Sequence, residues 1–119
     1  MPERRKQGPG AAHDAGALAS YMLVGLTWAI AYGFLETVRP GSIHGLAEGG
    51  ASLDFPTLMY FSYITMLTIG YGDITPLSAA ARMMAVLEGL LGMTFTTIIM
   101  AVLVAGHLRR PDERDPGGR

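Results

Sequence analysis

The sequence predicts an all-α membrane fold in which two transmembrane helices flank a short re-entrant helix and an irregular loop. Three observations carry this expectation. From Ala15 to Leu35 there are 21 residues without a charge. A second apolar block runs from Met83 to Leu108, where Glu88 and His107 are the only titratable side chains. Between them, an apolar stretch too short to cross a bilayer leads into TIGYGDITP, whose glycines and proline forbid regular helix.

Composition agrees with this division. The chain has 119 residues, a formal net charge of −1, half its residues hydrophobic, 16% charged and no cysteine. That length suits one domain, and the charge content is low against the ~25% usual for soluble domains. Without cysteine there is no disulfide framework, thiolate metal site or cysteine nucleophile. A near-neutral balance speaks against nucleic-acid binding, which draws on a basic stripe. No nucleophile–base pair, phosphate loop or metal cluster is legible, so the sequence does not read as an enzyme, and no cofactor is expected.

The first span, at ~1.5 Å per residue, covers ~31 Å, about the thickness of a bilayer core. Tyr21 toward one end, and Tyr32 and Phe34 toward the other, suit interfacial anchoring. A cleaved signal peptide is the competing reading, since Arg4, Arg5 and Lys6 precede the run. The run is too long for a signal core and no small-residue cleavage site precedes Glu36. The second block, as one helix, is ~39 Å long and crosses with tilt or projects beyond the bilayer.

The intervening segment divides in two. ETVRPGSIHGLAEGGAS, within 36–53, reads as a loop. Asp54 then reads as a helix N-cap, with Pro56 in the first turn, where its missing N–H does no harm. FPTLMYFSYITM makes about three turns and ~18 Å, too short to span. Non-helical backbone at membrane depth survives only where protein buries it or it lines a polar path, so the pattern predicts a pore. The expected boundaries are a flexible cytoplasmic N-terminus over 1–14, a pore domain over 15–108 and a flexible tail over 109–119. Within the pore domain lie an outer helix over 15–36, a turret loop over 37–53, a pore helix over 54–66, a filter over 68–73 and an inner helix over 79–108. Basic residues cluster at both ends (Arg4, Arg5, Lys6; Arg109, Arg110, Arg114, Arg119), while the middle holds only Arg39 and Arg82. The positive-inside rule then puts both termini in the cytoplasm of a cell membrane and brings the re-entrant loop in from outside.

The run Thr68-Ile69-Gly70-Tyr71-Gly72-Asp73 resembles the selectivity filter of potassium channels, usually T-V-G-Y-G-D. With its preceding short helix and flanking spans it is similar to the two-helix pore module of bacterial potassium channels, from Ala15 to about Leu108. The resemblance implies a tetrameric potassium-channel pore fold: a homotetramer in the lipid bilayer conducting K+ passively. Backbone carbonyls there replace the ion's hydration shell, so Thr68, Ile69, Gly70, Tyr71 and Gly72 are the expected ion-binding residues. Gly70 and Gly72 supply backbone conformations that a Cβ resists, and Thr68 adds its hydroxyl to the innermost ring. Tyr60 and Phe61 are the expected aromatic neighbours of Tyr71, and Asp73 stands at the outer mouth.

Several further residues follow from the resemblance. Gly92, 21 positions after Tyr71, matches the family's gating-hinge glycine, with close helix packing as the alternative. Met93, Thr96, Met100 and Val104 then line the cavity at helical spacing, with the closed constriction near Val104 or Leu108. Ile64 stands where a proton-gated member of the family carries a glutamate, so Asp73 needs another partner, Tyr60 or a water. Leu67 replaces a common second threonine. Glu88, an intramembrane acid, reads as a buried group bonded to Ser62 or Thr65 in preference to a gating role. His13 and His107, near the inner ends of the spans, are candidate pH sensors. Arg82 is an interfacial anchor near Glu36 or Asp73. A weakly selective cation channel and a non-conducting membrane scaffold or regulatory subunit stay open as alternatives. So does a regulatory domain as partner, should the chain be a pore excised from a longer product.

Overall fold

A computed structural model describes residues 9–46 and 54–108, in the order α1 (Pro9–Val38), β1 (Ile43–His44), α2 (Phe55–Met66), β2 (Thr75–Pro76) and α3 (Ala79–Leu108). The basic clusters at 4–6 and 109–119 lie outside the described residues. So does the expected flexible tail. Residues 9–14, expected in a flexible N-terminus, instead continue α1 toward the N-terminus. Each long helix has 30 residues, hence ~45 Å, and both are apolar enough to cross a membrane.

α2 starts where its cap dictates. The Asp54 carboxylate accepts from the Thr57 amide at 3.4 Å and from the Thr57 hydroxyl, and the Asp54 carbonyl accepts from the Leu58 amide at 3.0 Å. Pro56 fills the first turn. Ser78 caps the start of α3: its Oγ accepts from the Ala81 amide at 3.1 Å.

The expected turret loop holds a strand. Ile43 and His44 pair antiparallel with Pro76 and Thr75, tying the chain after α1 to the chain before α3. Glu36 sets up this turn, accepting from the Gly41 amide at 2.5 Å and the Ile43 amide at 3.1 Å. Gly45, at φ +91°, passes so close to the Asp73 carbonyl that a Cβ would stand 2.6 Å from it. Two-residue strands carry no period-2 signal for a sequence to show.

The core is small and lies beside α2. Ala29, Tyr32, Ile43, Leu58, Phe61, Ile74 and Ala81 form it, with the Tyr32 and Phe61 rings edge to face at 4.9 Å. Each long helix meets it along one narrow stripe. On α1 the buried positions are 21, 25, 29, 32 and 33; on α3 they are 81, 88 and 92. Leu23, Ile30 and Phe34 on α1, and Leu87, Leu90, Leu91 and Ile98 on α3, are exposed. Helices apolar nearly all round belong in lipid or against further helices.

At Gly25, α1 passes close to α2. A Cβ there would run into the Tyr63 ring, whose hydroxyl donates to the Met22 carbonyl at 2.9 Å. Gly25→Val should therefore lower the thermal unfolding temperature in detergent, by an overpacking cost of about 1–3 kcal/mol. Gly16→Ala, whose methyl meets nothing within 4 Å, should leave it unchanged. Equal melting of the two variants would show that α1 does not seat α2 through Gly25.

Candidate functional site

The chain leaving α2 is held by the end of α2 itself. The Leu67 amide donates to the Tyr63 carbonyl at 2.9 Å, and the Thr68 amide to the Thr65 carbonyl at 3.0 Å. Ile69 and Gly70 both donate to the Ile64 carbonyl, at 2.8 and 3.2 Å. These are carbonyls that a helix C-terminus leaves without internal partners. In a trans peptide the C=O lies opposite the N–H. With the amides of 68, 69 and 70 turned to α2, the carbonyls of Leu67, Thr68 and Ile69 face away from it.

The torsions follow the same order. Thr68, Gly70 and Gly72 have positive φ of 58°, 55° and 84°, while Ile69 and Tyr71 do not. Glycine takes this conformation freely. Thr68 does not, since a β-branched residue there is strained. The helix-end carbonyls hold Thr68 in place, a role that sequence reasoning missed. Residues 67–73 are all exposed in the single chain, Tyr71 at 72%.

The supporting residues are partly rearranged. Tyr60, expected beside Tyr71, donates its hydroxyl to Asp73 Oδ2 at 2.9 Å. It is thus the partner that Asp73 needs in the absence of a glutamate at 64. That bond raises the Tyr60 phenol above its ordinary range, because losing the proton would set a second negative charge beside Asp73. Phe61 is buried against Tyr32 rather than standing exposed beside Tyr71. Arg82 directs its Nε to the Pro76 carbonyl at 3.4 Å, while Glu36 and Asp73 bond elsewhere.

Below Thr68 lies a concavity of about 450 Å³. Met93, Thr96 and Met100 line it, as the helical stripe predicts, together with Leu67, Thr68, Thr97 and Tyr21. Val104 is not among its walls and is exposed further along α3. Gly92 packs against α2: a Cβ there would run into the Met66 carbonyl. The structure thus gives Gly92 the packing contact that was the alternative to a hinge. Gly89 has open space at the same test.

Tyr21 and Tyr32, expected as interfacial anchors, are buried and point inward. Tyr21 donates to the Met66 carbonyl at 3.1 Å and packs on Phe95 at 5.5 Å. Tyr32 donates to Glu88 Oε2 at 2.6 Å, and Glu88 Oε1 meets the Ser62 hydroxyl. Thr65 bonds instead to the Phe61 carbonyl. An acid inside a span needs donors, but nothing local in the sequence singles out Tyr32 from the other donors of α1. His13 is exposed on α1, and the His107 side chain lies outside the described residues.

Two apolar helices around a re-entrant helix, with a loop whose carbonyls face away from that helix, define a membrane pore module. The ion channel family profile matches residues 20–105, and the chain belongs to that family. Similar proteins are potassium channels. The two pore potassium channel c of Oryza sativa subsp. japonica is 32% identical over 88 residues, 74% of this chain and 17% of that protein. The inward rectifier potassium channel Kirbac3.1 of Paramagnetospirillum magnetotacticum is 30% identical over 93 residues, 75% and 28%. The human potassium voltage-gated channel subfamily KQT member 4 is 33% identical over 85 residues, 69% and 12%. The chain therefore spans less than a third of the length of each of these relatives. Membership of that family points to membrane transport.

The packing of Gly92 is open to direct measurement. Gly92→Ala should cost about 1–3 kcal/mol in unfolding stability, because the Met66 carbonyl is backbone and cannot swing away. Gly89→Ala should be tolerated. Scanning fluorimetry of both variants checks this, and the reverse order would return Gly92 to a hinge without a packing role.

Proposed function

We propose that the chain is one quarter of a potassium-selective pore, and that four identical copies close the conduction path in a cell membrane. The observation that carries this reading is the fan of amides from residues 68 to 70 gathered onto Thr65 and Ile64. It turns the carbonyls of successive residues to one side. Around a fourfold axis such carbonyls become stacked rings of oxygens, which exchange for the hydration shell of K+. The Thr68 hydroxyl completes the innermost ring, and the carbonyls of Gly70 and Tyr71 continue the stack outward. Gly72 and Asp73 then bring the chain to the mouth, where the Asp73 charge raises the local cation concentration.

The assembly follows from the same segment. Residues 67–73 are exposed in one chain, yet irregular backbone at membrane depth must be covered by protein or line a polar path. Neighbouring copies cover the side of Tyr71 and Ile69, and the ion path takes the carbonyl side. The concavity lined by Met93, Thr96 and Met100 becomes one wall of a water-filled cavity below the filter. The C-terminal end of α2 adds a partial negative charge to it. Basic residues at 4–6 and 109–119 favour cytoplasmic termini. The transported ion is K+, and no further cofactor enters.

Flux from proteoliposomes tests the reading. Purified protein should carry K+ down its gradient, should be blocked by barium, and should carry Na+ far less well. Gly70→Ala should abolish conduction although an added methyl meets nothing within 4 Å. The cause is the φ of 55°, which costs an L-residue about 1–2 kcal/mol in each of four chains. Equal K+ and Na+ permeability would make the protein a weakly selective cation channel. No flux, together with tolerance of Gly70→Ala, would make it a scaffold or regulatory subunit.

A further inference from the structure

Glu88 is fully buried on α3, and among the described residues its carboxyl bonds to two hydroxyl groups. Tyr32 of α1 lies 2.6 Å from Oε2, and Ser62 of α2 touches Oε1. Ser62 Oγ also lies 2.8 Å from the Gly25 carbonyl oxygen of α1. These are three oxygen–oxygen contacts at hydrogen-bond distance, and each needs a hydrogen between its oxygens. Tyr32 and Ser62 contribute one hydrogen each, while the Gly25 carbonyl has none to give. An ionised Glu88 has none either. Two hydrogens would then serve three contacts, and two oxygens would face each other through lone pairs in a buried site. A proton on Glu88 completes the count.

The charge environment points the same way. From α1, Tyr32 is the titratable group facing Glu88. From α2 the facing group is Ser62, since Tyr60 bonds Asp73 and Tyr63 bonds the Met22 carbonyl. On α3 the nearest charged residue in sequence is Arg82, committed to the Pro76 carbonyl, and His44 of β1 is exposed. Glu88 thus has no cation among its hydrogen-bonding partners. An unpaired carboxylate at this depth is costly, and a neutral acid that is fully hydrogen-bonded is not.

We propose that Glu88 is a neutral hydrogen-bond donor whose proton latches all three helices together behind the filter. Glu88 donates from Oε1 to Ser62, Ser62 donates to the Gly25 carbonyl, and Tyr32 donates to Oε2. Loss of the proton turns the Ser62 hydrogen to the carboxylate and removes one tie between α2 and α1. Since α2 holds the amides of residues 68–70, the filter loses support. The folded protein keeps a proton that the unfolded chain releases, so stability falls as pH rises. The consequence for conduction rests on the pore reading above; the proton itself does not.

Glu88→Gln separates the charge states, because its amide nitrogen donates to Ser62 and its carbonyl accepts from Tyr32. The full chain with Glu88→Gln should unfold at or above the wild-type temperature at neutral pH, because it takes up no proton on folding, and should lack the wild-type fall in stability as pH rises from about 4. Glu88→Ala leaves both hydroxyls without their partner and should lower the folded-to-unfolded ratio roughly tenfold or more at either pH. Infrared spectroscopy of the folded wild type at neutral pH should show the carbonyl stretch of a protonated carboxyl, shifted in deuterium oxide and missing in Glu88→Gln. Absence of that band overturns the proposal, as does a Glu88→Gln variant as damaged as Glu88→Ala. Potassium flux should fall in alkaline buffer for the wild type but not for Glu88→Gln. If no variant conducts, the pore reading fails, while the band and the unfolding pattern still decide the proton.

Discussion

The Ile64 carbonyl is the point on which the site depends. It accepts from two consecutive amides, those of Ile69 and Gly70, and so reverses the usual alternation of peptide groups along an extended chain. A helix end normally leaves its last carbonyls to water or to a cap. Here they are satisfied by the loop, and the loop amides are satisfied by them. Neither partner could sit at membrane depth without the other, because an unmet backbone group there costs several kcal/mol. The strained φ of Thr68 is tolerated for the same reason: two fixed anchors on either side leave it no other path.

Everything around α2 keeps that helix end still. Asp54 caps its start, Tyr21 bonds the Met66 carbonyl, and Gly92 lets α3 approach the same carbonyl. Ser62 and Glu88 join the middle of α2 to both neighbours. The long helices thus meet α2 and its surroundings through small residues, inward-turned tyrosines and one acid, set along a narrow stripe on each. Their remaining circumference is apolar. This arrangement explains a chain that is half hydrophobic yet buries few large side chains. Its apolar surface suits lipid and further helices, and inside the single chain close backbone approach and hydrogen bonds supplement a small apolar core.

Much of this was legible in the sequence, for identifiable reasons. Charge-free runs announce spans because a bilayer has a fixed thickness, and Asp54 with Pro56 announces a helix start because capping is local. TIGYGD is legible because its glycines answer a backbone demand within six residues. The partner of Asp73 was narrowed to Tyr60 or a water by the lack of an acid at 64, and that of Glu88 to Ser62 or Thr65, of which Ser62 takes the place. What stayed hidden depends on contacts between distant segments. Gly25 against Tyr63, Tyr32 on Glu88 and Tyr21 on Met66 have no local signature. An aromatic near the end of an apolar run has the same pattern whether it anchors at an interface or turns inward. The two-residue strands are too short for any period, and the Glu36 turn shows itself only once the chain has closed on it.

Gly92 illustrates how a family position can hold two physical demands at once. A hinge asks for backbone freedom, and a packing glycine asks for the absence of a Cβ; composition alone cannot separate them. In this chain the Met66 carbonyl lies where a Cβ would be, so the second demand is met whatever the first requires. The same carbonyl accepts from Tyr21 and ends the helix that supports Thr68. A bend of α3 at Gly92 would therefore press on, or withdraw from, the base of the filter. Any displacement of α3 at Gly92 would act on the end of α2 through the Met66 carbonyl, two residues beyond the Ile64 carbonyl that holds Ile69 and Gly70.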